Sequence, residues 1–152
     1  MVWGCIASSG VEELVFIDGS TDKVIYKNIL QENLKKSARK LDLGNNYYFQ
    51  QDNDPKHTAE VVQCWIMFNI PHILWTSPQS PDLNPIEEIW NELEDKVRKH
   101  HITSKTQLKE IIIEEWNKLS SEITKKYVHS MPKRLAAERN DNEVLKFCFA
   151  DI

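Results

Sequence analysis

The hydrophobic positions at the start of the chain change from short runs to a helical spacing. Val2–Ala7 and Glu13–Ile17 are apolar runs separated by a turn that contains Gly10, which predicts an antiparallel pair of strands. From Thr21 apolar residues recur every three or four positions, which predicts a helix that ends at Gly44. The predicted inner face of this helix consists of Val24, Ile25, Ile29, Leu30 and Leu34.

A strand–helix–strand pattern follows. Tyr47–Gln51 is rich in aromatic residues and predicts a strand that runs into Asp52. A helix is predicted after Pro55, and Ile70–Trp75 predicts a second strand. Two strands joined by a helix form a βαβ unit, so we expect them to be parallel. The predicted core residues of this part and the next are Val61, Val62, Trp65, Ile66, Phe68, Trp75, Trp90 and Trp116.

The rest of the chain has a helical pattern. Asn84 suits the N-cap of a helix, Pro85 suits its first position, and Glu87 completes a capping box. Ser104 is predicted to open the next helix, and a last helical stretch is predicted over residues 122–137. The fold class is therefore α/β with a helical C-terminal part.

Composition sets limits on function. The chain has 152 residues, of which 41% are hydrophobic and 28% charged, which is typical of one soluble globular domain. No apolar run approaches the roughly 18 residues of a transmembrane helix, so no membrane association is expected. The net charge of −4 argues against a domain that holds DNA mainly by charge. The three cysteines show no metal-binding spacing and are expected to be free thiols.

Two acidic residues are the candidates for chemistry. Asp52 ends a predicted strand, and Glu87 lies in the first turn of the helix after the next strand. Side chains at the carboxyl ends of neighbouring parallel strands converge on one edge of the sheet. Two carboxylates there favour Mg²⁺ or Mn²⁺, and a pair of such ions can assist phosphodiester cleavage. From spacing alone, a strand-end turn residue and a capping-box residue remain the simpler alternatives.

Geometry ranks these acids above their neighbours. Strand alternation places Asp52 on the side of Gln50, whereas Asp54 lies past the strand end and suits a turn. With Ile86 at the centre of the apolar helix face, Glu87 falls at about 100° and Glu88 at about 200°. Glu87 is therefore predicted to reach a cleft from the flank, and Glu88 to face away from the core.

Two longer motifs resemble Tc1/mariner transposases. Phe49–Ala59 is similar to the block around their second catalytic acid, and Ser77–Trp90 to the block around the third. Between Asp52 and Glu87 lie 34 residues (53 to 86), the spacing of the Tc1 branch. The resemblance covers residues 1–137 and leaves 138–152 as a divergent tail. It implies a ribonuclease H-like fold of the DDE integrase/transposase superfamily, and metal-dependent DNA strand cleavage and strand transfer with Asp52 and Glu87 as catalytic metal ligands.

The chain also departs from that family. The family's first catalytic Asp lies on a central strand upstream of the segment that Trp3 and Gly4 resemble, and a DNA-binding domain precedes it. We therefore expect the first central strand to be missing and the chain to be inactive alone. The remaining sheet is expected to be split, gapped, or closed by direct pairing of Val2–Ala7 with Tyr47–Asp52. The alternative function is a domesticated or decayed transposon product that acts as a non-enzymatic DNA-associated or protein-interaction module.

The resemblance also implies DNA (transposon ends and target) as a partner and a possible homodimer. It further implies a nuclear location. The candidate DNA-contacting residues are Asn53, Lys56, His57, Arg98 and Lys99. His57 is expected either to touch phosphate near the active site or to be a surface residue at a helix N-terminus. For Arg98 and Lys99 the alternative is that they complement the dipole of a helix C-terminus.

Overall fold

The structure, a computed structural model, describes residues 1–76, 83–131 and 146–151, with residue 151 described by its backbone alone. Five strands and six α-helices are present in these residues, and a π-helical segment (Leu30–Leu34) joins the first two helices. The strands are β1 (Val2–Ala7), β2 (Gly10–Phe16), β3 (Tyr48–Gln50), β4 (His72–Ile73) and β5 (Phe147–Asp151). The helices are α1 (Lys23–Ile29), α2 (Lys35–Lys40), α3 (Glu60–Asn69), α4 (Pro85–Val97), α5 (Lys105–Asn117) and α6 (Ser121–Val128).

All five strands form one sheet, in the order β2-β1-β5-β3-β4. β1 pairs with β2 in the antiparallel sense, and β3 pairs with β4 in the parallel sense. The predicted hairpin and the predicted βαβ unit are both confirmed. β5 lies between these two pairs, antiparallel to β1 and parallel to β3.

The expectation of a split or gapped sheet is wrong. Neither a gap nor direct pairing of β1 with β3 is found, because β5 fills the central position from the C-terminal end of the chain. An empty position would leave backbone donors and acceptors exposed on two facing strand edges, and β5 satisfies both edges. β5 comes from the stretch predicted to be a divergent tail, so the end of that tail is part of the sheet. The domain boundary at residue 137 itself remains a prediction.

Helices cover both faces of the sheet. On one face, Cys148 and Ala150 of β5 belong to a core cluster with residues of α1, α2 and α3, including Tyr26. On the other face, Phe147 and Phe149 belong to a cluster with residues of α4, α5 and α6. The alternation along β5 is that of a strand buried on both sides.

The inner face of the first helix differs from the predicted one. Tyr26 is fully buried, while Val24 and Ile25 are 49% and 39% exposed. Asp22 caps this helix by accepting hydrogen bonds from both of these exposed residues' N–H groups, at 2.8 Å each. The cap fixes the helix start and thereby turns Val24 and Ile25 outward.

Core predictions for five further residues failed wholly or in part. Val61, Phe68 and Trp75 are exposed, and Trp65 and Trp90 are half-buried. Val62, Ile66 and Trp116 are buried as predicted. In the part of the chain that the structure describes, no helix combines the length and hydrophobicity needed to cross a membrane.

Candidate active site

Asp52 lies two residues after the end of β3 and is anchored by its own loop. The Asp54 N–H donates to Oδ1 of Asp52 at 3.0 Å, and Nδ1 of His57 contacts the same oxygen. Burial acts to raise the pKa of Asp52, but the hydrogen bonds from His57 and from the Asp54 N–H outweigh it, so the pKa lies below its usual value. Asp52 is therefore an ionised carboxylate whose other oxygen, Oδ2, takes part in neither contact.

His57 is held in a buried frame behind Asp52. Its side chain is 1% exposed and its ring stacks on Tyr26, with centroids 3.8 Å apart. The Tyr26 hydroxyl donates to Oε1 of Gln51 at 2.8 Å, and Nε2 of Gln51 donates to the His57 carbonyl at 3.0 Å. The surface-residue alternative for His57 is therefore wrong, and its position beside the acid is that of a residue that orients Asp52. Sequence reasoning missed Tyr26 and Gln51, because nothing local links them.

Asp54 and Lys56 complete the loop. The Lys56 N–H donates to Oδ1 of Asp54 at 2.9 Å, and its ammonium donates to Oδ2 at 2.6 Å. Asp54 is thus the turn residue that strand position predicted. Asn53 is exposed, and its side-chain amide donates to the Thr76 carbonyl at 3.2 Å, which ties the Asp52 loop to the chain beyond β4. DNA contact by Asn53, Lys56 and His57 remains a prediction.

Glu87 lies in the first turn of α4. Pro85 occupies the start of this helix as predicted, and Asn84 is its N-cap residue. The capping-box alternative for Glu87 remains a prediction. Partial burial and the charge of Asp52 raise the pKa of Glu87, so the two carboxylates lie within electrostatic reach of each other. Glu88 is half-buried, which differs from its predicted outward position.

A hydrogen bond joins the end of β3 to the entrance of α4. The side-chain amide of Gln50, which is 1% exposed, donates to the Leu83 carbonyl. Gln50 lies two residues before Asp52, and Leu83 lies four residues before Glu87. This buried contact fixes the two acid-bearing segments relative to each other. The sequence predicted that Gln50 and Asp52 share a strand face, but it did not predict this hydrogen bond.

Arg98 and Lys99 are not brought to the acids. Arg98 follows Glu87 by 11 residues (98 − 87), or roughly 16 Å along a helix. Its guanidinium donates to Oε1 of Glu94 at 2.6 Å, one helical turn back. Both Arg98 and Lys99 are exposed at the C-terminal end of α4, so the dipole alternative accounts for their position and DNA contact remains a prediction.

The two acids suit a hard divalent cation. Both offer only oxygen ligands, and burial together with the charge of Asp52 raises the pKa of Glu87, a cost to the carboxylate form that a bound cation would relieve. Residues 77–82, the predicted loop before α4, lie outside the described residues. Within the described residues, no cluster of three or more His, Cys, Asp or Glu side chains is arranged to hold a metal ion.

Comparison with known proteins identifies relatives of the chain. A family described as DDE superfamily endonuclease matches residues 1–109. The chain is 36% identical over 137 residues to the Tcb1 transposase of Caenorhabditis briggsae, covering 90% of this chain and 50% of that protein. It is 35% identical over 137 residues to the Tc1 transposase of Caenorhabditis elegans, with the same coverage. The chain thus spans about half the length of these curated relatives.

Solved structures share the fold. The catalytic domain of Mos1 transposase with raltegravir and Mn superposes with a TM-score of 0.71 at 21% identity, covering 91% of this chain and 76% of that one. The mariner Mos1 paired end complex with Mg gives a TM-score of 0.73 at 22% identity, covering 90% of this chain and 42% of that one. The predicted ribonuclease H-like fold is confirmed.

Proposed function

Because the chain belongs to the Tc1/mariner transposases of the DDE superfamily, we propose that it is a catalytic core for DNA transposition, with Asp52 and Glu87 as ligands of Mg²⁺ or Mn²⁺. The observation that supports this most directly is the electrostatic coupling of the two carboxylates, one after β3 and one at the start of α4. Relatives solved with Mn or Mg make a divalent metal requirement the natural expectation.

Bound divalent ions would supply an activated water and charge stabilisation for the leaving oxygen of a phosphodiester. The role of the chain is to hold the ligands in place. His57 and the Asp54 N–H fix one oxygen of Asp52, and the Gln50–Leu83 hydrogen bond sets the α4 entrance against β3. The stacked Tyr26 packs against the interior side of this loop, while Asp52 is partly exposed and Glu87 is exposed, so both acids are accessible from solvent.

DNA is the proposed partner. A relative has been solved as the Mos1 transposase paired-end complex with left transposon end, which supports a DNA-facing site in this chain. A homodimer, a nuclear location and contacts from Asn53, Lys56, Arg98 and Lys99 remain proposals. The non-enzymatic alternative is not favoured, because the family match extends through the segment that keeps both acids.

The test is Mn²⁺ binding by the purified chain, together with metal-dependent nicking of supercoiled DNA, which also tests the prediction that the chain is inactive alone. Asp52→Asn and Glu87→Gln should each weaken Mn²⁺ binding and remove any nicking that the unmodified chain shows. Glu88→Gln is the matched control, since it removes a charge from the neighbouring position of the same helix turn and should change neither readout. Absence of Mn²⁺ binding by the unmodified chain, or equal loss in Glu88→Gln, would contradict the proposal.

A further inference from the structure

We propose that the topology brings Asp151, at the end of β5, to the same edge of the sheet as Asp52 and Glu87, so that the C-terminal strand adds a third acidic residue to the metal-binding end of this core. The inference rests on the proposed function of Asp52 and Glu87. It differs from the expectation drawn from family resemblance, in which the first acid precedes the other two in the chain. Three features of the backbone and the core support it.

The first feature is the position of β5 in the sheet. β5 lies between β1 and β3, antiparallel to the first and parallel to the second. This is the central position, between the antiparallel pair and the parallel strands, that the resemblance gives to the strand with the first catalytic Asp. The central strand comes from the C-terminal end of this chain and from upstream of β1 in the family, but it has the same place in the strand order.

The second feature is the register between β5 and β3. Gln50 pairs with Phe149 in the parallel ladder. Two residues further along the chain are Asp52 (50 + 2), just past the end of β3, and Asp151 (149 + 2), the last residue of β5. The continued register therefore places positions 52 and 151 side by side at the carboxyl ends of adjacent parallel strands, about 4.8 Å apart across the ladder. That edge is where ligands bind in parallel α/β sheets.

The third feature is the face of the sheet. Phe147 and Phe149 lie on the face covered by α4, and Cys148 and Ala150 lie on the opposite face. Strand alternation therefore places position 151 on the α4 face, the face from which Glu87 approaches.

The neighbouring strand gives the same result independently. Gly4 of β1 is directly opposite Asp151, and opposite residues of an antiparallel pair share a face. A Cβ built on Gly4 would lie 2.6 Å from Cη2 of Trp90 on α4 and 2.9 Å from Cη2 of Trp116 on α5. The Gly4 position, and with it position 151, thus belongs to the α4 face.

The first experiment compares Mn²⁺ affinity, measured by electron paramagnetic resonance, in the unmodified chain and in Asp151→Asn. The expected result is at least about tenfold weaker binding, together with loss of nicking. Asp95→Asn, an exposed position on α4, is the matched control and should leave both unchanged. Thermal melting confirms that each variant is folded. Unchanged Mn²⁺ affinity in Asp151→Asn, with binding lost in Asp52→Asn, would refute the role of Asp151 and leave the proposed function standing.

If neither Asp52→Asn nor Asp151→Asn weakens Mn²⁺ binding, the proposed function fails and this inference fails with it. A second measurement needs no variant. Fe²⁺ with ascorbate and hydrogen peroxide generates hydroxyl radicals at a bound-metal site and cleaves the nearby backbone. Cleavage near residues 52, 87 and 151, suppressed by excess Mg²⁺, supports the inference. Cleavage near 52 and 87 without cleavage near 151 would overturn it.

Discussion

Phe149→Ala tests whether β5 occupies the centre of the sheet. Phe149 is fully buried in the cluster beneath α4, and its ring stacks against Phe147 with centroids 5.8 Å apart. Truncation to Ala removes the aromatic ring from a site enclosed by the sheet and by α4. The neighbouring strands pair with β5 on both sides, so the backbone cannot move inward to fill the space.

The expected cost follows from this enclosure. Replacing a buried Phe with Ala typically destabilises a protein by about 3–5 kcal/mol, the sum of the lost transfer energy and the cavity left behind. Domains of this kind have total stabilities of about 5–15 kcal/mol. For a chain of this length, 1 kcal/mol corresponds to roughly 2–4 °C, so Tm should fall by roughly 6–20 °C.

The assay is equilibrium unfolding in urea, followed by tryptophan fluorescence, with the slope of free energy against urea concentration checked for constancy. Phe68→Ala is the matched control, because the same ring at position 68 is 84% exposed on α3. Its free energy of unfolding should stay within about 0.5 kcal/mol of the unmodified chain. An equally small change in Phe149→Ala would refute the central placement of β5.

Three further predictions concern the same region. Gly4→Ala should destabilise the protein by about 1–3 kcal/mol, because the added methyl collides with Trp90, and Trp90→Leu should recover part of this loss in urea unfolding. The Sγ atoms of Cys5 and Cys148 lie 3.1 Å apart. A hydrogen bond to Cys5 and burial raise the pKa of Cys148, so Cys5 and Cys148 should resist alkylation by iodoacetamide in the folded protein while the exposed Cys64 reacts, as seen by mass spectrometry; rapid alkylation of Cys148 would argue against β5 lying beside β1. Burial and a neighbouring carboxylate raise the pKa of Glu87, so the metal-free protein loses stability as pH rises through that pKa. At neutral pH, Glu87→Gln should therefore have a higher Tm than the unmodified chain in EDTA and a lower Tm than the unmodified chain in Mn²⁺. A Tm below that of the unmodified chain in EDTA would contradict the unfavourable environment of the Glu87 carboxylate.

Local signals predicted the elements that depend on neighbouring residues. The β1–β2 hairpin was readable from two apolar runs and a turn with Gly10, whose φ is 150°. The start of α5 was readable from Ser104, whose hydroxyl accepts the Gln107 N–H at 3.1 Å. Pro85 marked the start of α4 in the same way. Such signals work because turn and capping energies involve only residues a few positions apart.

Burial was less predictable than secondary structure. Trp75 was expected in the core and is 62% exposed, while Tyr26 was not singled out and is fully buried against His57. Hydrophobicity indicates that a side chain gains from burial, but which side chains are covered depends on the elements that pack against them. The contact of His57 with Asp52 was missed for this reason.

The candidate acids Asp52 and Glu87, the 34 residues between them, and the strand and helix near them could be predicted from the order of residues along the chain. The way the sheet closes could not, because it depends on long-range packing. The run Phe147–Ala150 is short and apolar, and its pattern says nothing about which strands it joins. Its partners, β1 and β3, lie about a hundred or more residues away along the chain. The hydrogen-bonding demand of two facing strand edges, together with apolar layers on both faces, selects it for the central position.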